Sequence, residues 1–134
     1  MNYSDDTEGL QGARKIPVYR SAVRLSQAVN EFTLEIYEAK KGRPEIDRLH
    51  HKANLIAAKI ASGHCLGYDQ EFLEKNIRLC REAKEASEDC ENALSLLLEH
   101  EFEILTVLSL REMVRDIIKE VSAWIKELEN QIYW

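Results

Sequence analysis

The chain has 134 residues, 45% hydrophobic and 31% charged, which is enough to bury one core and too little for two domains. A net charge of -6 excludes a surface that is basic all round. Three cysteines with no CxxC spacing exclude a disulfide framework and point to buried thiols at Cys80 and Cys90 in a reducing, cytoplasmic setting.

Residues 1–15 are polar and aperiodic with glycines at 9 and 12, so they read as a flexible leader ahead of one domain over 16–134. The N-terminus carries acids, unlike a signal peptide, and no apolar run reaches the roughly 18 residues of a membrane span. Pro17 opens a first helix over Val18–Lys41, where Ala22, Leu25, Val29, Phe32 and Ile36 recur by three and four and share one face. Gly42-Arg43-Pro44 predicts a left-handed stop and then the first turn of a second helix.

That second helix, Pro44–Ser62, carries the seam Leu49, Ala53, Ile56 and Ile60, and Gly63 is its expected stop. Leu55, Ala57, Ala58 and Ala61 lie off the seam, leaving apolar surface that needs a second cover. Asp69 is the expected cap of a third helix, Gln70–Glu99, with the seam Ile77, Cys80, Ala83, Ser87, Cys90, Leu94 and Leu97. Its other faces hold charges at helical spacing, Glu74 with Arg78 and Arg81 with Glu85. A turn falls within Glu99–Glu103 despite the lack of Gly and Pro, because one helix running on to the C-terminus exceeds globular lengths. The fourth helix reads Val107, Leu110, Val114, Ile117, Val121, Trp124 and Leu128, beside a second row of Met113, Ile118 and Ile125. The chain ends Ile132-Tyr133-Trp134, large residues expected to dock. Four amphipathic helices joined by short links make an all-α, antiparallel up-down-up-down four-helix bundle.

Little catalytic chemistry is written on this scaffold. A dinuclear bundle site needs inward carboxylates and two Glu-x-x-His pairs, whereas the chain offers one Asp47-x-x-His50. His64 and Cys65 are adjacent and lack a second ligand pair, and Gly63 and Gly67 fit no phosphate-binding fingerprint. No catalytic, metal or cofactor residue is therefore assigned, and Cys65 is the sole candidate nucleophile should the chain be an enzyme.

Charge is divided along the chain: residues 1–68 sum to +2, or +5 without the acidic stretch Met1–Ala13, and residues 69–134 to -8. Arg20 and Arg24 share a face of the first helix, Arg48, Lys52 and Lys59 line the second, and Lys40, Lys41 and Arg43 sit at their junction. These eight are a solvated face, a phosphate-binding patch, or one half of a self-complementary contact. In the last case spare apolar surface at Leu55, Ala57, Ala58, Ala61, Met113, Ile118, Ile125 and Trp134 joins copies head to tail into a ring.

With these residues in view the chain resembles the bacterial four-helix-bundle family encoded in 23S rRNA intervening sequences. The matching landmarks are Pro17-Val18-Tyr19, Ile60-Ala61-Ser62-Gly63, Glu71-Phe72-Leu73 and Arg81-Glu82-Ala83-Lys84-Glu85, in that order. Trp124-Ile125-Lys126 is similar to the ending of the accessory variability proteins of diversity-generating retroelements. The resemblance implies an up-down-up-down bundle, a pentameric assembly, no catalysis, and association with RNA, DNA or a nucleic-acid enzyme such as a reverse transcriptase. The alternative is a protein-interaction scaffold that touches no nucleic acid. The acidic balance, and a turn His64–Tyr68 without basic residues, depart from the retroelement pattern.

Overall fold

The computed structural model describes residues 12, 13 and 15–132. They form four long helices: α1, Pro17–Glu38; α2, Pro44–Leu66; α3, Gln70–Glu99; and α4, Ile104–Ile132. Each helix packs on its chain neighbours, and α1 packs on α4, closing a square around one core. Pairs across the seams run in opposite numerical order, Lys52 with Asp89 and Lys59 with Glu82, then Glu91 with Arg115 and Arg81 with Glu129. That order is the signature of antiparallel neighbours, so the predicted up-down-up-down topology holds.

The core follows the sequence periods closely. Leu25 and Val29 from α1, Leu49 and Ile56 from α2, Leu94 and Leu97 from α3, and Val114 and Ile117 from α4 are all buried in one cluster. Each such side chain contributes about 1.5–3 kcal/mol through removal from water. One seam differs from expectation. On α4 the buried row steps from Val121 to Ile125 and Leu128, while Trp124 is half-buried and sets its ring against Tyr68 at 6.2 Å between centroids. A four-residue step keeps an isoleucine inward, and the indole takes the flank where its width fits.

The helix ends depart further from expectation. α1 stops at Glu38, and the left-handed residue is Lys40 (φ 58°), not Gly42. Lys41 N–H donates to the Ile36 carbonyl and Lys40 N–H to that of Tyr37, both at 3.0 Å, which completes a Schellman cap two residues before the glycine. α3 ends in the same way at Glu101 (φ 54°), with Phe102 N–H donating to Leu97 and Glu101 N–H to Leu98. Asp69 occupies the N-cap position of α3, but its side chain makes no capping bond; its carbonyl accepts from Phe72 and Leu73 instead.

Gly63 does not stop α2. It lies buried inside the helix, which runs on to Leu66 and ends at Gly67 (φ 95°). A Cβ on Gly63 would overlap Asn76 Oδ1 and stand 3.3 Å from the Asn76 carbonyl oxygen, so this glycine is where α2 and α3 close together. It also continues the α2 seam three residues after Ile60. Asn76 is 1% exposed and donates its amide to the Gly67 carbonyl at 3.0 Å, tying the end of α2 to the second turn of α3. Ile16, at the start of the expected domain, is buried, as is Ala13 just before it, and Gly12 lies against the His64 ring.

Candidate interaction surfaces

The eight basic residues do not gather on one face. On α2, Lys52 reaches Asp89 at 3.2 Å and Lys59 reaches Glu82 at 3.1 Å, both on α3. The division of charge seen in the sequence is thus met inside one chain, where a basic helix lies beside an acidic one, and does not by itself call for a second copy. At the α1–α2 turn Lys41 stands 3.7 Å from Glu103. Arg43 Nε stands 3.5 Å from Glu45 Oε2 without hydrogen-bond geometry, and its guanidinium sits 5.6 Å from the centre of the Phe102 ring. The Glu45 carboxyl is held below its usual range chiefly by a hydrogen bond from its own backbone N–H, with Arg43 adding to the effect. Arg24, Lys40 and Arg48 are exposed and form no ion pair among the described residues; Arg20 is exposed on α1.

The apolar set divides as well. Leu55, Ala57, Met113 and Ile118 are half-buried and pack on the chain's own core. Ala61 is half-buried and Ala58 exposed, so these two off-seam positions of α2 offer only small apolar side chains to an outer contact. Ile125 is 6% exposed and spent in the core, which removes it from any outer contact because the α4 seam turns inward there. Trp134 lies outside the described residues, and Ile132 packs against the core.

The large side chains that do face water were not singled out by the sequence patterns. They are Leu34 and Tyr37 on α1, Leu66 on α2, Leu96 on α3, and Ile104, Leu105 and Leu108 on α4, with Leu105 85% exposed. All but Leu66 lie within two turns of the bundle end that carries the α1–α2 and α3–α4 turns. The available signal was a leucine out of step with its seam: Leu105 stands two positions before Val107, and Leu34 two after Phe32.

At the opposite end polar and aromatic groups interlock. Tyr68 Oη lies 2.6 Å from His64 Nδ1, the Tyr68 ring meets Trp124 edge-on, and Cys80 Sγ lies 3.6 Å from Asn76 Oδ1. Burial pushes Tyr68 up to about 12 and Cys80 to about 11, and Cys90, in the middle of α3, to about 12. Thiols so placed stay protonated and are poor nucleophiles. Cys65 is exposed, and the Nδ1 of its neighbour His64 is engaged by Tyr68. Asp47 and His50 are both exposed, and no three His, Cys, Asp or Glu side chains among the described residues are grouped to hold a metal ion. No described helix is long and apolar enough to cross a membrane. Compared with known proteins, the chain matches no family model, no curated protein and no solved structure.

Proposed function

We propose that this chain is a non-enzymatic helical scaffold that works by contact, first with further copies of itself. The observation that carries this reading is the collar of six large apolar side chains around one bundle end, three of them in the first five residues of α4. A chain that stays single has no use for an almost fully exposed Leu105 beside half-exposed Ile104, and such patches are characteristic of association surfaces. The order of motifs that resembles the intervening-sequence family supports the same reading, since that family's bundles assemble. Three free thiols suit a reducing compartment such as the cytoplasm.

The test is absolute mass by light scattering across a dilution series. The expected result is a mass above the 15.5 kDa of one chain, falling on dilution or in Leu105→Glu with Leu108→Glu. A single-chain mass at every concentration overturns the reading.

A nucleic-acid contact is the second reading, favoured by Arg24, Lys40 and Arg48, which are exposed and outside the ion pairs. With four of the eight cations neutralised in-chain, few phosphates are engaged, so RNA retention falls only shallowly with salt. Loss of retention in Arg48→Glu, at unchanged mass, is the result this reading requires.

A further inference from the structure

The seams of the bundle are not closed alike. Between α2 and α3, and again between α3 and α4, two ion pairs cross from helix to helix. Among the described residues no ion pair joins α1 to α4, and the Lys41–Glu103 pair lies in the turns beyond them. These two helices are linked instead by Ser21, which donates its hydroxyl to both carboxylate oxygens of Glu120, at 3.1 and 3.0 Å. Two cavities open along the seam and share Glu120. One, of about 230 Å³, has an apolar wall of Ile16, Pro17, Val18 and Trp124 with Glu127 beside it; the other, of about 200 Å³, lies among Arg24, Met113 and Asp116. Asp116, Glu120 and Glu127 recur by four and seven, so they share one side of α4 over three turns, about 17 Å. Asp116 and Glu127 are exposed and form no ion pair among the described residues, and Arg24 is the one cation among the described residues lining either cavity. Toward the α1–α2 turn the exposed Glu31, Glu35 and Glu112 add to the same charge.

We propose that this seam is the docking groove for a cationic amphipathic helix of a partner protein, with its apolar side chains on Trp124 and Met113 and its lysines or arginines on Asp116, Glu120 and Glu127. Charge selects the occupant: unpaired carboxylates over an apolar wall repel nucleic acid and acidic surfaces and favour a basic one. A helix laid along α4 brings cations at the same four-and-seven spacing, and its apolar stripe uses the wall, which a simple polyamine does not. Ser21 holds the Glu120 carboxylate in place before a partner arrives, which lowers the cost of binding. The chain's own series at that spacing is Arg48, Lys52 and Lys59, whose two lysines are already tied to Asp89 and Glu82, so a second copy does not bring the matching cations. Leu105 lies three turns before Asp116, so a helix seated between Asp116 and Glu127 leaves the apolar collar to self-association.

The contact is measured by fluorescence anisotropy of a labelled peptide of about 18 residues, with leucines on one side of its helix and lysines at the four-and-seven spacing on the other. Expected is saturable binding by the wild type, weakened at least roughly tenfold in Asp116→Lys with Glu127→Lys. Glu85→Lys with Glu88→Lys makes the same charge change beside the α3–α4 seam and is expected to weaken it less than about twofold. All four positions are exposed, so these variants keep the fold. A peptide whose leucines are replaced by serines is expected to bind the wild type at least roughly tenfold more weakly. Equal binding of the two peptides, or equal loss in the two double variants, reduces the attraction to net charge and overturns the groove, as does the absence of saturable binding by the wild type. Mass by light scattering keeps the readings apart: self-association stands or falls on the mass without peptide, and a mass that falls as the peptide binds assigns the groove to a second copy and overturns the foreign partner.

Discussion

The two ends of this bundle solve the same problem, reversing a helix, with opposite means. At the α2–α3 end a glycine sits inside α2, a buried asparagine bridges the turn, and His64, Tyr68 and Trp124 interlock over it. At the other end the two reversals depend on Lys40, Glu101 and Glu103 in left-handed backbone, and exposed leucines surround them. One end is closed by side chains that satisfy each other; the other keeps its apolar groups outside. Both ends bury core leucines, Leu73 at the first and Leu97 at the second, but large apolar side chains open to contact gather at the second.

A pair of leucine truncations breaks this contrast most sharply. Leu73→Ala, at the closed end where the side chain is fully buried, is expected to cost about 2–5 kcal/mol in urea unfolding. Leu105→Ala at the open end is expected to stay within about 0.5 kcal/mol for the single chain. Next, Gly63→Ala forces a methyl group onto Asn76 and is expected to cost about 1–3 kcal/mol. Its combination with Asn76→Ala is expected to cost clearly less than the two losses added, because the truncation removes the obstructing atoms; strict additivity in the double-mutant cycle would show the contact to be slack.

Raising the pH attacks the closed end chemically. Burial lifts Tyr68 and Cys80 above their ordinary values of 10.0 and 9.0, so the folded chain holds these protons more tightly than the unfolded one. The associated stability is complete below about pH 9 and is lost as pH rises through about 11 to 12, on the order of 2 kcal/mol for Cys80 alone. Urea titrations from pH 8 to 12 are expected to show that decline, and Cys80→Ala to make it shallower. The smallest effect belongs to the open end: Lys40→Gly and Glu101→Gly relieve left-handed strain and are each expected to raise stability by about 0.5–1 kcal/mol, read as a shift in the urea midpoint.

Much of the fold was legible because burial imposes a period that the sequence cannot hide. The seams of α1 and α3, and the limits of α3 at Gln70 and Glu99, follow directly from apolar spacing. Helix ends were less legible, since a Schellman cap is closed by backbone groups and accepts a lysine or a glutamate when the preceding turn is well packed. Gly63 read as punctuation because a glycine needed for close packing carries the same letter as one needed for a turn; its place three residues after Ile60 was the distinguishing sign. Asn76 gave no signal, as its value lies in one carbonyl nine residues earlier. The candidate surface was the least legible part. Whether Lys52 faces solvent or Asp89 depends on the lateral register of two helices, which no local pattern specifies.

The disposition of the three thiols gives the protein a built-in clock. Cys65 is open to reagents in the folded state, while Cys80 and Cys90 are enclosed along α3. A small alkylating probe should therefore modify one sulfur promptly and the other two only when that helix comes away from its neighbours. The delay between first and later adducts, followed by intact mass, would time the transient opening of the molecule without any introduced label.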